Sequence, residues 1–207
     1  MLSMDPVILI LRLPVLLFSL SMHELAHAWA ADRLGDCTPR LAGRLTLSPL
    51  AHLDPMGALA LLITGRYGWA KPVMVNPRNF SNPEGGMVLV SLAGPLSNLG
   101  LAMVFATIAK TLNSIISTDS LTSMQVMLSV LLNQGVWVNL GLAVFNLVPI
   151  PPLDGSKVLR AVLRGRAYNL YYQLEQHSYI ILILFIATPL ASQILTPIIV
   201  SLYRAIM

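Results

Sequence analysis

The sequence predicts an all-α polytopic membrane protein, a bundle of about five to six transmembrane or re-entrant helices with a short β element at the cytoplasmic side. Three observations carry that reading. Of 207 residues, 56% are apolar and only 11% are charged, against roughly 45–50% and 25% in an ordinary soluble domain. Mean hydropathy is +0.72. The apolar residues fall in long runs with the charges collected between them, which suits a bilayer core about 30 Å thick. So little charge cannot cover a soluble globule of this size. The same composition, with one cysteine, excludes a disordered chain and a disulfide scaffold.

Residues 7–31 make the first apolar run, with Arg12 and Pro14 near its start. The run has no basic leader region and no small-residue cleavage site before it, so it reads as a retained helix. Residues 56–64, fenced by Asp54-Pro55 and Gly65, are too few to cross at 1.5 Å per residue. A re-entrant or surface-embedded segment is expected there. Runs at 87–112 and 121–148 are long enough to span. The run at 179–206 is too long for one straight pass, and Thr188-Pro189 divides it into two helices joined by a tight turn. Prolines at 39, 49, 55, 72, 77 and 83 make residues 34–55 and 65–86 loop-like, with Val73-Met74-Val75 as a short strand. With no internal repeat, residues 1–207 read as a single membrane-embedded domain.

Charge sets the orientation. Eleven of the 13 Lys and Arg residues fall between the first and third runs, after the fourth, or at the chain end. The positive-inside rule makes that side cytoplasmic and puts the N-terminus outside, as in a multi-pass protein of the cell membrane. The net charge of +4 is therefore no nucleic-acid footprint, which would cluster basic residues on a polar stripe. The bilayer is the expected partner, and nucleic acid is not.

The first run carries His23-Glu24-Leu25-Ala26-His27. Histidines four apart on a helix lie about 40° apart around its axis, so both imidazoles can reach one ion. Glu24 sits one position over, close enough to bond a water at that ion without being a ligand. Zinc suits imidazole nitrogen, and its catalytic sites use three protein ligands and one open position. There it lowers the pKa of water toward ~7 and polarises a carbonyl, while Glu24 serves as general base. Polar side chains inside an apolar helix are costly without water, partner or metal. His23 lies 16 residues past Val7, or ~24 Å along a helix. That depth is inside the bilayer, nearer the cytoplasmic face, so water must come from that side.

Spacing leaves the third ligand open. Asp154 follows the proline-rich end of the fourth run, where Pro149, Pro151 and Pro152 break the helix and leave Asn146 and carbonyls without helical partners. His52 and Asp54 compete with it. A membrane metal or proton carrier could use the same cluster, but it would gain nothing from Glu24 beside two ligands.

In these residues the chain resembles the site-2 protease family of intramembrane zinc metalloproteases, peptidase family M50, in the compact form without PDZ or CBS domains. The stretch from Asn146-Leu147-Val148-Pro149 to Leu153-Asp154-Gly155 is similar to the family's second signature. Asp32-Arg33-Leu34-Gly35-Asp36, Ser48-Pro49-Leu50-Ala51-His52, Asn76-Pro77-Arg78-Asn79-Phe80 and Gly94-Pro95-Leu96-Ser97-Asn98 are similar to its compact bacterial and archaeal branch. Ser156 departs from the pattern where glycine is common. The resemblance implies one zinc per chain held by His23, His27 and Asp154, with Glu24 as catalytic base. It also implies Asn146 near the active site, as a donor to the oxyanion. The implied activity is a zinc metalloendopeptidase that hydrolyses peptide bonds within or near transmembrane helices of membrane-protein substrates, as in regulated intramembrane proteolysis. A second copy of the chain stays open as a partner.

Other polar and aromatic residues have plainer readings. Asn98 reads as an interhelical hydrogen bond. His52, in a proline-bounded loop, reads as a surface histidine or one supporting a ligand, and His177 as interfacial. Trp69 is expected to anchor at the membrane interface, and Trp29 and Trp137 to pack between helices. Cys37 is a free thiol.

Overall fold

A proline-interrupted, glycine-terminated first helix sets the frame for the rest of the chain. The structure, a computed structural model, describes residues 6–55, 57, 70–115 and 122–207, with side chains from residue 12 onward. Helix α1, Pro6–Arg33, has 28 residues, about 42 Å of rise, enough to cross a bilayer. It stops at Gly35, whose φ of +104° is open to glycine. The Asp36 N–H returns to the Ala31 carbonyl at 3.0 Å and closes the end in a Schellman pattern. Short helices α2, Thr38–Leu41, and α3, Pro49–His52, follow, each with proline in its first turn.

Helix α4, Pro83–Ile115, is the longest at 33 residues. Asn82 caps it by accepting the Gly85 N–H at 3.1 Å. Helix α5, Ser123–Asn146, starts on a reciprocal capping box between Thr122 and Gln125. Two shorter helices come next, α6, Asp154–Val162, and α7, Gly165–Glu175. The chain then runs through α8, Ser178–Ala187, and α9, Pro189–Ile206, divided at Thr188 as the proline dictates. Helices α4, α5 and α9 are long and apolar enough to cross a membrane, and the chain is a helical membrane protein.

Helix α4 packs against α1, α5 and α6, and α9 against α5. Small residues permit the close approach of α4 to α5. Ala102, Ala106, Val136 and Leu140 form one buried cluster, and a Cβ on Gly135 would strike the Phe105 ring at 2.5 Å. In a bilayer, where lipid tails are as apolar as leucine, such packing and interhelical hydrogen bonds replace the hydrophobic drive.

Several expectations change. Among the described residues no ladder forms: Val73, Met74 and Val75 lie in no strand. The β element is reduced to an isolated antiparallel bridge between Leu53 and Ala70. Trp29 does not pack between helices. It is 55% exposed, with the Arg33 guanidinium 5.1 Å over its ring. Trp137 does pack, stacked on Tyr203 at 4.5 Å. Apart from Gly57, the expected re-entrant segment at 56–64 lies outside the described residues, as does Trp69.

Candidate metal centre

Helical spacing puts His23 and His27 on one face of α1, and both are buried. Asp154, also buried, is the first residue of α6, delivered by the turn that follows α5. Its Oδ2 lies 3.2 Å from His23 Nε2 and 3.1 Å from His27 Nε2. The two Nε2 atoms are 3.0 Å apart. Tetrahedral zinc with ligands at about 2.0–2.1 Å separates its donors by roughly 3.3 Å, so the three atoms fit one such ion to within a few tenths of an ångström.

The far side of each ring shows why a cation suits this spot. His27 Nδ1 is 2.7 Å from the Val90 carbonyl. A carbonyl can only accept, so Nδ1 carries the hydrogen and Nε2 keeps its lone pair. His23 Nδ1 is 2.6 Å from Asn98 Oδ1, which acts the same way. Three electron-pair donors therefore converge, and none has a hydrogen to offer the others. Asp154 Oδ1 is occupied separately, accepting from Lys157 Nζ at 2.9 Å. Space comes from α4: a Cβ on Gly94 would lie 2.4 Å from His27 Nε2 and 2.6 Å from His23 Nε2.

Glu24 is half-buried on the same helix, and its Oε2 accepts the Val73 backbone N–H at 3.3 Å. That bond sets the irregular stretch after Ala70 beside the candidate base. The stretch is fastened at both ends. The Lys71 N–H donates to the His52 carbonyl at 2.8 Å, and Arg44 donates to the carbonyls of Ala51 and Lys71. At the other end Asp36 accepts the Asn76 N–H and the Asn79 amide, each at 2.7 Å, and the Thr38 hydroxyl at 2.6 Å. Burial pushes this carboxyl up, but these bonds together hold it below the usual carboxylate range.

Of the residues the sequence singles out, the structure joins His23, His27 and Asp154. Among the described residues this is the one cluster of three such side chains able to share a metal. Asn146 stands at the end of α5 with Nδ2 donating to the Leu142 carbonyl at 3.0 Å. His52 is not at the surface: it is 2% exposed and bonds the Thr46 carbonyl through Nε2 at 2.8 Å. Asp54 accepts the Gly57 N–H at 2.9 Å. Neither joins the cluster. Asn98 does bridge helices, as expected, but it also holds a histidine of the centre, a role its sequence position did not disclose. Its one signal was a buried-helix asparagine four residues after Gly94, on the same face.

A family profile described as "Peptidase family M50" matches residues 107–189, which include Asn146 and Asp154. "Putative zinc metalloprotease YwhC" of Bacillus subtilis is 38% identical over 182 residues, 88% of this chain and 82% of that relative. "Putative zinc metalloprotease Rip2" of Mycobacterium tuberculosis is 32% identical over 178 residues, 84% of this chain and 66% of its own. A Methanocaldococcus jannaschii relative, "Putative zinc metalloprotease MJ0611", is 32% identical over 138 residues, 67% of this chain and 63% of its own. No solved structure matches the chain.

Proposed function

The chain belongs to peptidase family M50, the site-2 protease family of zinc metallopeptidases, and from that premise we propose that it cuts transmembrane helices of other membrane proteins within or beside the bilayer. The observation that carries the proposal is the convergence of His23, His27 and Asp154 at 3.0–3.2 Å inside a bundle of apolar helices, with Glu24 beside them.

These three side chains would hold zinc, which supplies a Lewis acid and a water of lowered pKa. Glu24 takes the proton from the attacking water and passes it to the leaving amine. The Val73 N–H, donating to Oε2 at 3.3 Å, aims the carboxylate of Glu24. Asn146 has two amide hydrogens; one is held by Leu142, and the other serves the oxyanion. Lys157 neutralises the outer oxygen of Asp154 and leaves Oδ2 for the ion. A helical substrate hides its carbonyls in i→i−4 bonds, so the scissile segment must unwind. The stretch around Val73, which has no strand partner among the described residues, offers backbone groups to such an extended segment. The basic residues collected on one side support a site toward the cytoplasmic face of the cell membrane.

Glu24→Gln tests the reading. Reconstituted with a single-span reporter, the variant should retain zinc while cleavage falls about 10²–10⁴-fold. Undiminished cleavage would remove Glu24 from its role, and a metal carrier would show no cleavage to lose. Membrane proteomics with the same pair would then reveal substrates as species that accumulate only in the variant.

A further inference from the structure

We propose that Asn139, on neither ligand-bearing helix, is a positioning residue for the metal centre: it sets which way the Asn98 amide points, and so which nitrogen of His23 is left bare for the ion. The inference rests on His23 being a metal ligand. Ser19, Asn98 and Asn139 are each 0% exposed, and together they link α1, α4 and α5. Asn139 Nδ2 donates to the Gly135 carbonyl at 2.8 Å and to Ser19 Oγ at 2.9 Å. Its Oδ1 accepts from Asn98 Nδ2 at 2.9 Å. Asn98 Nδ2 also reaches the Ser19 carbonyl, at a longer 3.3 Å. Asn98 Oδ1 then faces His23 Nδ1 at 2.6 Å.

The direction of this chain is set mainly at its far end, through the short 2.9 Å bond to Asn139, while the Ser19 carbonyl pulls Asn98 the same way at a longer 3.3 Å. Oxygen and nitrogen of an amide are told apart by their partners, and the Gly135 carbonyl can only accept. Asn139 must therefore turn Nδ2 toward Gly135 and Oδ1 toward Asn98. Asn98 must answer with Nδ2, which leaves Oδ1 for His23. An acceptor at Nδ1 requires the hydrogen there, and Nε2 keeps its lone pair beside Asp154 and His27. Were Asn98 reversed, its amide hydrogens would meet Nδ1, the ring hydrogen would move to Nε2, and the ion would find that position blocked. With Ser19, Asn98 and Asn139 all fully buried, a mismatched amide carries the full cost of an unsatisfied polar group. His27 needs no such relay, because Val90 offers it a backbone carbonyl directly.

The test is a double-mutant cycle on the full chain in detergent, read as zinc Kd by competition with a chromophoric chelator. Asn139→Leu should weaken zinc about ten-fold, the lower end of what outer partners of metal ligands cost. In the Asn98→Asp background the same substitution should cause no weakening, because a carboxylate presents an acceptor to His23 whichever way it points. Equal weakening in both backgrounds would mean a packing role only, and no weakening in either would also overturn the proposal. Asn139→Ala, a smaller cut that removes the same amide, is read the same way if the leucine variant does not fold. His23→Ala separates the two levels of failure. If zinc survives that change, the metal-centre reading itself falls; if zinc is lost there but Asn139→Leu binds normally, only the positioning role falls.

Discussion

Gly94→Ala puts one methyl group into the tightest part of the metal centre. From 2.4 Å to His27 Nε2, ordinary van der Waals contact is regained only at 3.4 Å, so the rings or α4 must give by 1.0 Å. Zinc ligands tolerate about ±0.2 Å, and a misplacement near 1 Å costs on the order of 10²-fold in a catalytic site. The fold itself has less at stake. Alanine is better than glycine in a helix by up to ~1 kcal/mol, against roughly 1–3 kcal/mol for an overpacked core. Zinc Kd by chelator competition and Tm of the metal-free chain separate the two effects. The expected result is a Kd weakened about 100-fold with Tm of the metal-free chain little changed. A wild-type Kd on an intact fold would refute the idea that Gly94 makes room for the two imidazoles.

Two further outcomes concern the stretch beside Glu24. Asp36→Asn should cost about 1.5–3 kcal/mol at neutral pH, the range for hydrogen bonds to a charged group. Because the folded carboxyl titrates below its unfolded value of about 3.9, that contribution is whole above roughly pH 4 and is lost as pH falls through the lower folded value. The Tm gap between wild type and variant should narrow on acidification, and a gap constant down to about pH 3 would contradict this. Val73→Pro removes the N–H that Glu24 accepts. Zinc Kd should hold while kcat drops about ten-fold, equal to ~1.4 kcal/mol of barrier. The loss should be larger for helical reporters than for unwound ones if this stretch receives substrate; equal losses would count against it.

Long apolar runs were legible because a bilayer demands them, and α1, α4 and α5 lie where those runs fall. The break at Thr188-Pro189 was legible for a simpler reason: proline cannot continue the helix before it. Helices α6 and α7 were not foreseen. Their polar and basic residues, from Lys157 through Arg166, give no apolar run, and α6 takes its place by docking against α4 with Asp154 opening the turn. The strand expected at Val73 finds no partner among the described residues beyond the Leu53–Ala70 bridge, because a short apolar pattern specifies no partner strand. At the site, His23 and His27 were readable from a four-residue spacing on one helix. Asp154 is 127 residues beyond His27, and no local periodicity reports a contact between helices; spacing alone left His52 and Asp54 beside it. Gly94, Asn98 and Asn139 act through absence of a side chain or direction of an amide, which a sequence does not display.

Zinc-edge X-ray absorption on the purified chain reads the metal shell directly. One zinc per chain, with two imidazole nitrogens and carboxylate or water oxygen at about 2.0–2.1 Å and no sulfur, is the result expected of His23, His27 and Asp154. Material that holds no zinc after growth in zinc, or a shell with one imidazole or none, would contradict it.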